Sequence, residues 1–176
     1  ERGYSAADLK NEAKSLTKKI GVSVHTLWLV TILLSAESAQ ENYRKKGISD
    51  DIFWTTFEDL RFKAQKCKNI YGVWGTFVPF WYSIFCRAEI VRFGCLEFEN
   101  KAYKYDTPYV CGDVVVNKGD PVKSIHIPAS GEPFDRESRI KAYKMAYEFF
   151  RKESGDKPFI GICSSWLLYP EYKVRI

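Results

Sequence analysis

The sequence predicts an α+β protein, with an N-terminal helical bundle followed by a C-terminal β-sheet unit that carries a helix, in the order β-β-β-α-β. In the first half, apolar residues recur every three or four positions between Gly and Ser residues that end or cap helices. From residue 89 onward, apolar and polar residues alternate as they do in strands. With 45% hydrophobic residues, the chain can bury a core. We therefore predict two domains, residues 1–88 and 89–176.

Four helices are predicted in the first domain. Each begins near a residue that caps helices or suits a first turn, and three of them have a glycine at or just after their end, where it can adopt a positive φ. The fourth opens on a proline, which the first turn of a helix tolerates. The predicted ranges are 5–20, 23–46, 49–72 and 79–88.

Four strands and one helix are predicted in the second domain. The strands are rich in β-branched and aromatic residues, and turn-forming residues separate them. Asp135 can cap the helix, and Gly155 can follow its end. The predicted strands are 90–99, 109–116, 122–127 and 159–168, and the helix covers 136–153.

Charge and cysteine content argue against several classes of function. The 27 basic and 22 acidic residues give a net charge of +5, without the dense basic patch typical of nucleic-acid-binding domains. Five cysteines without a CxxC pair, together with two histidines, predict no metal site. Free thiols fit a reducing cytoplasm. The longest apolar run, 27–34, is far shorter than the roughly 20 residues that span a bilayer, so we expect neither a nucleic-acid nor a membrane partner.

A strand, a loop of small residues and a helix meet at residues 124–135, with sequence S-I-H-I-P-A-S-G-E-P-F-D. Such a junction can present backbone N–H groups and the positive end of a helix to an anion. The negative charges of Glu132 and Asp135 oppose a phosphate there, and Arg136 and Arg139 could partly offset them. An ordinary strand–loop–helix connection is the alternative.

Three titratable residues are candidates for acid–base chemistry. His126 lies between two isoleucines, so on a strand it faces away from both and could act as a general base. A hydrogen-bonded structural histidine is the alternative. Glu97 and Glu99 share one face of their strand and could act as acids or bases, or could simply form the solvent-facing side of the sheet.

Two further stretches are open to more than one interpretation. In C-S-S-W-L-L, residues 163–168, Cys163 could approach His126 if the two strands run parallel, forming a nucleophile pair of the hydrolase type. A buried, inert thiol is the alternative. The aromatic stretch 73–82 could form the floor of a groove or pack between the two halves of the chain.

The order of these motifs resembles a bacterial acyltransferase family that joins a helical N-acyltransferase N-terminal domain to a GNAT-like C-terminal domain. The resemblance rests on I-V-R-F-G-C-L-E-F-E, then H-I-P-x-S-G, an aromatic helix ending in F-F, and C-x-S-W-L-L-x-P. In the first domain, G-I-S-D-D-I-F-W-x-T-x-x-D-L at residues 47–60 is similar to the helical half of that family.

The resemblance implies an N-terminal helical bundle packed on a C-terminal GNAT-like mixed β-sheet, and transfer of an acyl group, such as acetyl, from acyl-CoA to a small-molecule amine. The acceptor and the oligomeric state stay open. His126 or Glu97 would be the base, and Tyr169 or Tyr172 would be the acid that protonates the leaving thiolate. The residues expected to bind acyl-CoA are Ile127, Ser130, Gly131, Arg136, Ser164, Ser165 and Trp166.

Two departures from the family pattern suggest a second possibility. The usual pyrophosphate loop is replaced by Ser130-Gly131, and Ser164 stands where relatives commonly carry a histidine. GNAT domains also usually continue past this last strand, so we expect the second domain to be incomplete here. A catalytically inactive ligand-binding or interaction module on the same scaffold is therefore the alternative function.

Overall fold

The computed structural model describes residues 6–152, 155, 159–165 and 167. Over these residues the chain divides into two units. Unit 1 consists of Glu1–Asp50 and Phe57–Ala88, and unit 2 of Asp51–Thr56 and Glu89–Ile176. The middle of one helix therefore belongs to the unit that contains the sheet.

Between residues 6 and 88 the secondary structure is helical, as predicted. Among the described residues these are α1 (Ala6–Ile20), α2 (Val24–Leu34), α3 (Ala36–Lys45), α4 (Asp50–Phe57), α5 (Asp59–Tyr71), a 3₁₀ turn (Pro79–Trp81) and α6 (Tyr82–Cys86).

The second, third and fourth predicted helices are each divided in two. The predicted helix 23–46 breaks at Ser35, whose N–H donates to carbonyls of the last turn of α2 and whose hydroxyl donates to the Ile32 carbonyl at 2.8 Å. The predicted helix 49–72 breaks at Glu58, between α4 and α5. Apolar spacing continues through both breaks, and therefore the sequence pattern does not reveal them.

Unit 2 contains a four-stranded mixed sheet in the order β1-β2-β5-β6, which confirms the predicted α+β class. Neighbouring strands are antiparallel except β5 and β6, which run parallel. The elements are β1 (Ile90–Phe93), β2 (Leu96–Ala102), β3 (Tyr109–Cys111), β4 (Val114–Val116), β5 (Pro121–His126), α7 (Arg136–Phe150) and β6 (Gly161–Cys163).

Two predicted strands are hairpins. The predicted strand 90–99 turns at Gly94 (φ 53°) to form β1 and β2, and the predicted strand 109–116 turns at Gly112 (φ 57°) to form the separate sheet of β3 and β4. A two-residue turn that needs positive φ interrupts the alternation too briefly to stand out from it. Of the predicted strand 159–168, the described residues form a strand only at Gly161–Cys163.

One face of the sheet packs its aromatic side chains against α7. Phe98 is fully buried, with ring centroids 6.2 Å from those of Tyr143 and Phe150 and 6.0 Å from that of Phe159. This packing assigns the residues that alternate with Phe98 along β2, including Glu97 and Glu99, to the opposite face.

In the part of the chain that is described, no single helix is long and apolar enough to cross a membrane, although the bent pair Ala7–Ile20 and Val24–Leu34 passes by length and composition alone.

Candidate active site

The strand register aligns charged residues across the face of the sheet opposite α7. Arg92 of β1 is paired with Glu97 of β2, and Glu97 is paired with His126 of β5. Paired residues in an antiparallel ladder point to the same face. Glu99 lies two residues along β2 and shares this face, paired with Ser124. The register therefore brings three sequence-predicted candidates, Glu97, Glu99 and His126, to one surface.

His126 and Glu99 are in direct contact. His126 Nε2 lies 2.8 Å from Glu99 Oε2, a diagonal contact between the two strands. The Glu99 side chain is 7% exposed and that of His126 is 28% exposed. Because a carboxylate oxygen only accepts hydrogen bonds, Nε2–H donates to it, and Glu99 thereby orients the imidazole ring. The pair therefore has the arrangement of a general base whose ring is oriented by a carboxylate.

A lysine that was not among the sequence-predicted candidates also contacts Glu99. Lys101 Nζ lies 2.9 Å from the same Glu99 Oε2. The same carboxylate oxygen of Glu99 therefore accepts from two donors, His126 and Lys101. Alternation along β2 was the available signal, because Lys101 follows Glu99 by two residues and so shares its face.

Burial of the two glutamates rules out the alternative that they line a solvent-facing side of the sheet. Glu97 is 2% exposed and Glu99 5%. Arg92 is buried with them, and its guanidinium donates to the Gly94 carbonyl at 2.9 Å. The Arg92 backbone N–H donates to Thr56 Oγ1 at 2.9 Å, which connects β1 to the last turn of α4. Arg92, Glu97 and Glu99 thus form a buried polar layer on the face of the sheet opposite α7.

The pairing of β5 with β6 ends beside this layer. It covers three residue pairs, the last of which is Ile125 with Cys163. Ile127, Ser164 and Ser165 lie just past the end of this ladder, Ser164 exposed and the other two half-buried. Ser165 Oγ accepts the Leu167 N–H at 3.3 Å. The end of the ladder therefore collects three of the residues predicted to bind acyl-CoA.

Three further sequence-predicted residues, Trp166, Tyr169 and the alternative acid Tyr172, lie outside the described residues.

The loop from Pro128 to Asp135 leads from β5 into α7. Ser130 Oγ accepts the Glu132 N–H at 3.3 Å, and Gly131 between them has a φ of 75°. Asp135 caps α7 by accepting the Ser138 N–H at 2.8 Å, and this hydrogen bond lowers the pKa of its carboxyl. Arg136, the first residue of α7, is exposed. The cap therefore places a carboxylate at the helix end where an anion would also be favoured.

The proposed approach of Cys163 to His126 is wrong. Cys163 is paired with Ile125 in the parallel ladder and therefore points to the same face as Ile125, whereas His126, the next residue, points to the other. Burial also raises the pKa of the Cys163 thiol, which keeps it protonated and unreactive. The strands do run parallel, but their register separates the two side chains.

Among the residues that the structure describes, no group of three or more His, Cys, Asp or Glu side chains is placed to hold a metal ion.

Comparison with known proteins matches both halves of the chain to family models. Residues 2–88 match the N-acyltransferase N-terminal domain, and residues 90–175 match the GNAT-like C-terminal domain. Comparison with curated proteins gives no match.

Solved structures share the fold. An acyltransferase in complex with decanoyl-CoA and teicoplanin has a TM-score of 0.71 at 21% identity, over 86% of this chain and 43% of the other. An acyltransferase in complex with CoA and 10C-teicoplanin has a TM-score of 0.71 at 20% identity, over 87% and 44%. An acyltransferase with decanoyl-CoA has a TM-score of 0.65 at 22% identity, over 84% and 43%. The chain spans less than half the length of these structures.

The two domain models together account for nearly the whole chain, in the order that the sequence motifs indicate, and the described sheet and helices have the fold of the solved acyltransferases. The chain belongs to the acyltransferase family that joins an N-acyltransferase N-terminal domain to a GNAT-like C-terminal domain.

Proposed function

We propose that this protein is an acyl-CoA-dependent N-acyltransferase that transfers an acyl group, such as acetyl, to the amine of a small molecule. The observation that carries the proposal is the contact of 2.8 Å between His126 Nε2 and Glu99 Oε2, at the end of β5 and on a largely buried face. Membership of the family supports acyl transfer. The similar acyltransferases in complex with decanoyl-CoA and teicoplanin support acyl-CoA as co-substrate and a small molecule as acceptor.

His126 is the proposed general base. The neutral amine attacks the thioester carbonyl, and the His126 imidazole takes the proton that the nitrogen loses as the C–N bond forms. Glu99 accepts the Nε2–H throughout and stabilises the imidazolium that results. The C–S bond then breaks, and the leaving thiolate takes up a proton, for which Tyr169 is the proposed donor. Glu97, paired with His126, is the alternative base.

The proposed acyl-CoA site follows the end of the β5–β6 ladder and the loop into α7. Backbone groups at Ile127, Ser164 and Ser165, where pairing between these strands has ended, would accept and donate hydrogen bonds to the pantetheine arm. The phosphates of coenzyme A would lie beside Ser130, Gly131 and Arg136. The pantetheine arm would pack against Trp166.

Calorimetry with coenzyme A and with decanoyl-CoA tests the proposal on the full chain. We expect saturable binding of both, and turnover of decanoyl-CoA when an accepted primary amine is added. His126→Ala should reduce turnover about 100-fold or more while leaving the affinity for coenzyme A nearly unchanged, since general-base catalysis contributes on this order. Absence of coenzyme A binding at millimolar concentration would overturn the proposal.

A catalytically inactive binding module is the second candidate, favoured by two observations at the acyl-CoA site. An exposed Ser164 stands where the family pattern carries a histidine, and the Asp135 carboxylate occupies the end of α7. This alternative predicts that coenzyme A binds with no turnover for any amine, and that His126→Ala changes neither property.

We also propose a cytoplasmic location. Four of the cysteines are free thiols in the structure, Cys67, Cys86, Cys95 and Cys163, and a reducing compartment keeps them so.

A further inference from the structure

Unit 1 contains a cavity of about 560 Å³ that none of the chemistry above uses. Its walls are mostly aromatic and aliphatic, and they include Val24, Trp28, Phe77, Phe80 and Trp81. The rings of Trp28 and Phe80 lie 5.8 Å apart at an angle of 58°. A cavity of this volume and lining is typical of sites for small organic molecules.

The backbone around His25 holds one wall of the cavity in place. The Thr76 N–H donates to the His25 carbonyl at 3.0 Å, and Thr26 Oγ1 donates to the Trp74 carbonyl at 2.7 Å. Gly75 permits this close approach, because a Cβ there would lie 2.4 Å from the His25 carbonyl carbon. The wall is therefore formed before any ligand arrives, which reduces the entropy lost on binding.

Two lysines on one helix provide positive charge at this cavity. Lys10 and Lys14 are both exposed and both line it, and their spacing of four residues places them one above the other on α1. Lys10 Nζ lies 5.2 Å from the centroid of the Phe80 ring. Among the described residues, no carboxylate lies within ion-pair distance of either ammonium group.

One more polar group lines the cavity. His25 Nδ1 lies 3.2 Å from the Thr76 carbonyl oxygen and therefore donates to it, which leaves Nε2 as an acceptor that does not bind an anion. The two lysines are therefore the groups that would bind an anion beside the aromatic lining. This combination complements a molecule with an apolar body and a single anionic group.

We infer that this cavity binds an apolar carboxylate, with the alkyl or aryl body against Trp28 and Phe80 and the carboxylate beside Lys10 and Lys14. The site is independent of the proposed acyl transfer, because all its lining residues belong to unit 1 and the acid–base pair belongs to unit 2. Fatty acids and aromatic acids share the required chemistry, and the two differ in the shape of the body.

Titration calorimetry without coenzyme A tests the inference, with decanoate and 2-naphthoate as probes and decanamide as the uncharged analogue. We expect saturable binding of at least one carboxylate, and about tenfold weaker binding of decanamide than of decanoate if the alkyl acid is preferred. The double variant Lys10→Gln/Lys14→Gln should weaken carboxylate binding about tenfold. Preference for decanoate identifies a fatty acid, and preference for 2-naphthoate an aromatic acid.

The matched control is Lys18→Gln/Lys19→Gln, which removes the same charge from exposed positions of α1 that do not line the cavity. It should retain the affinity of the unchanged protein. Equal weakening in both double variants would overturn the inference, since attraction would then come from net charge alone. Absence of binding by both carboxylates would overturn it as well, whether or not coenzyme A binds.

Discussion

Removal of the charge on Glu99 tests whether this residue acts through His126. Glu99→Gln keeps the size of the side chain and an oxygen that can accept the His126 Nε2–H, which lies 2.8 Å from the carboxylate. What the amide lacks is the negative charge that stabilises an imidazolium. The substitution should therefore reduce turnover while leaving the affinity for coenzyme A unchanged.

The size of the effect follows from the geometry. A hydrogen bond to a charged group contributes about 1.5–3 kcal/mol. Screening by solvent is small here, because the Glu99 side chain is only 7% exposed. If most of this contribution arises as the histidine becomes charged, turnover should fall about 10- to 100-fold, at about 1.4 kcal/mol for each factor of ten.

A double-mutant cycle gives the measurement. Turnover is followed as the release of free coenzyme A from decanoyl-CoA, with an accepted amine, for Glu99→Gln, His126→Ala and the two together. Because Glu99 is proposed to act only through the histidine, the double variant should be no slower than His126→Ala alone. Glu148→Gln is the matched control, since this glutamate is 63% exposed on α7 and should not alter turnover.

Two results would refute this reasoning. Turnover of Glu99→Gln within about twofold of the unchanged protein would show that the charge is not used, given the energies expected for charged hydrogen bonds. Losses that multiply in the double variant would show that Glu99 acts independently of His126.

Three further predictions concern the fold and the thiol. Gly75→Ala should lower the free energy of unfolding by about 3 kcal/mol, because the added Cβ overlaps His25. Gly47→Ala should lower it by only about 1 kcal/mol, because Gly47 has open space around it but a φ of 70°. Urea denaturation that gives both variants the same loss would contradict the close approach of residue 75 to His25. Asp135→Asn should destabilise α7 at pH 7, measured as a lower urea midpoint than that of the unchanged protein. The difference between the two midpoints should shrink as pH falls below about 4. The reason is that the pKa of Asp135 is lowered in the folded state, so its ionised carboxylate stabilises the fold fully above the ordinary value of 3.8 and progressively less below it. Cys163 should react with iodoacetamide at pH 7 more slowly than free cysteine, as burial raises its pKa, and mass spectrometry showing equal rates would contradict this.

Local patterns predicted most of the secondary structure. Short-range spacing and capping residues were enough to predict the positions of the helices in the first half, the helix that Asp135 caps and the strand that ends at His126. Breaks within elements were missed, because Ser35 and Gly94 change the direction of the chain without altering the apolar spacing around them. Alternation likewise placed Glu97 and Glu99 on one face, but it could not indicate that both are buried.

By itself the sequence determined which residues can carry the chemistry and the order of the two domains, since both depend on residue type and local pattern. The strand register, which only the tertiary structure decides, determined which of them meet. It brought His126 to Glu99 and Lys101, and it placed Cys163 on the opposite face. A register is set by contacts between strands distant in sequence, and a shift of one residue would exchange the two faces. The cavity in unit 1 likewise depends on a contact between residues distant in sequence, because Gly75 and His25, which approach each other at its wall, are 50 positions apart along the chain.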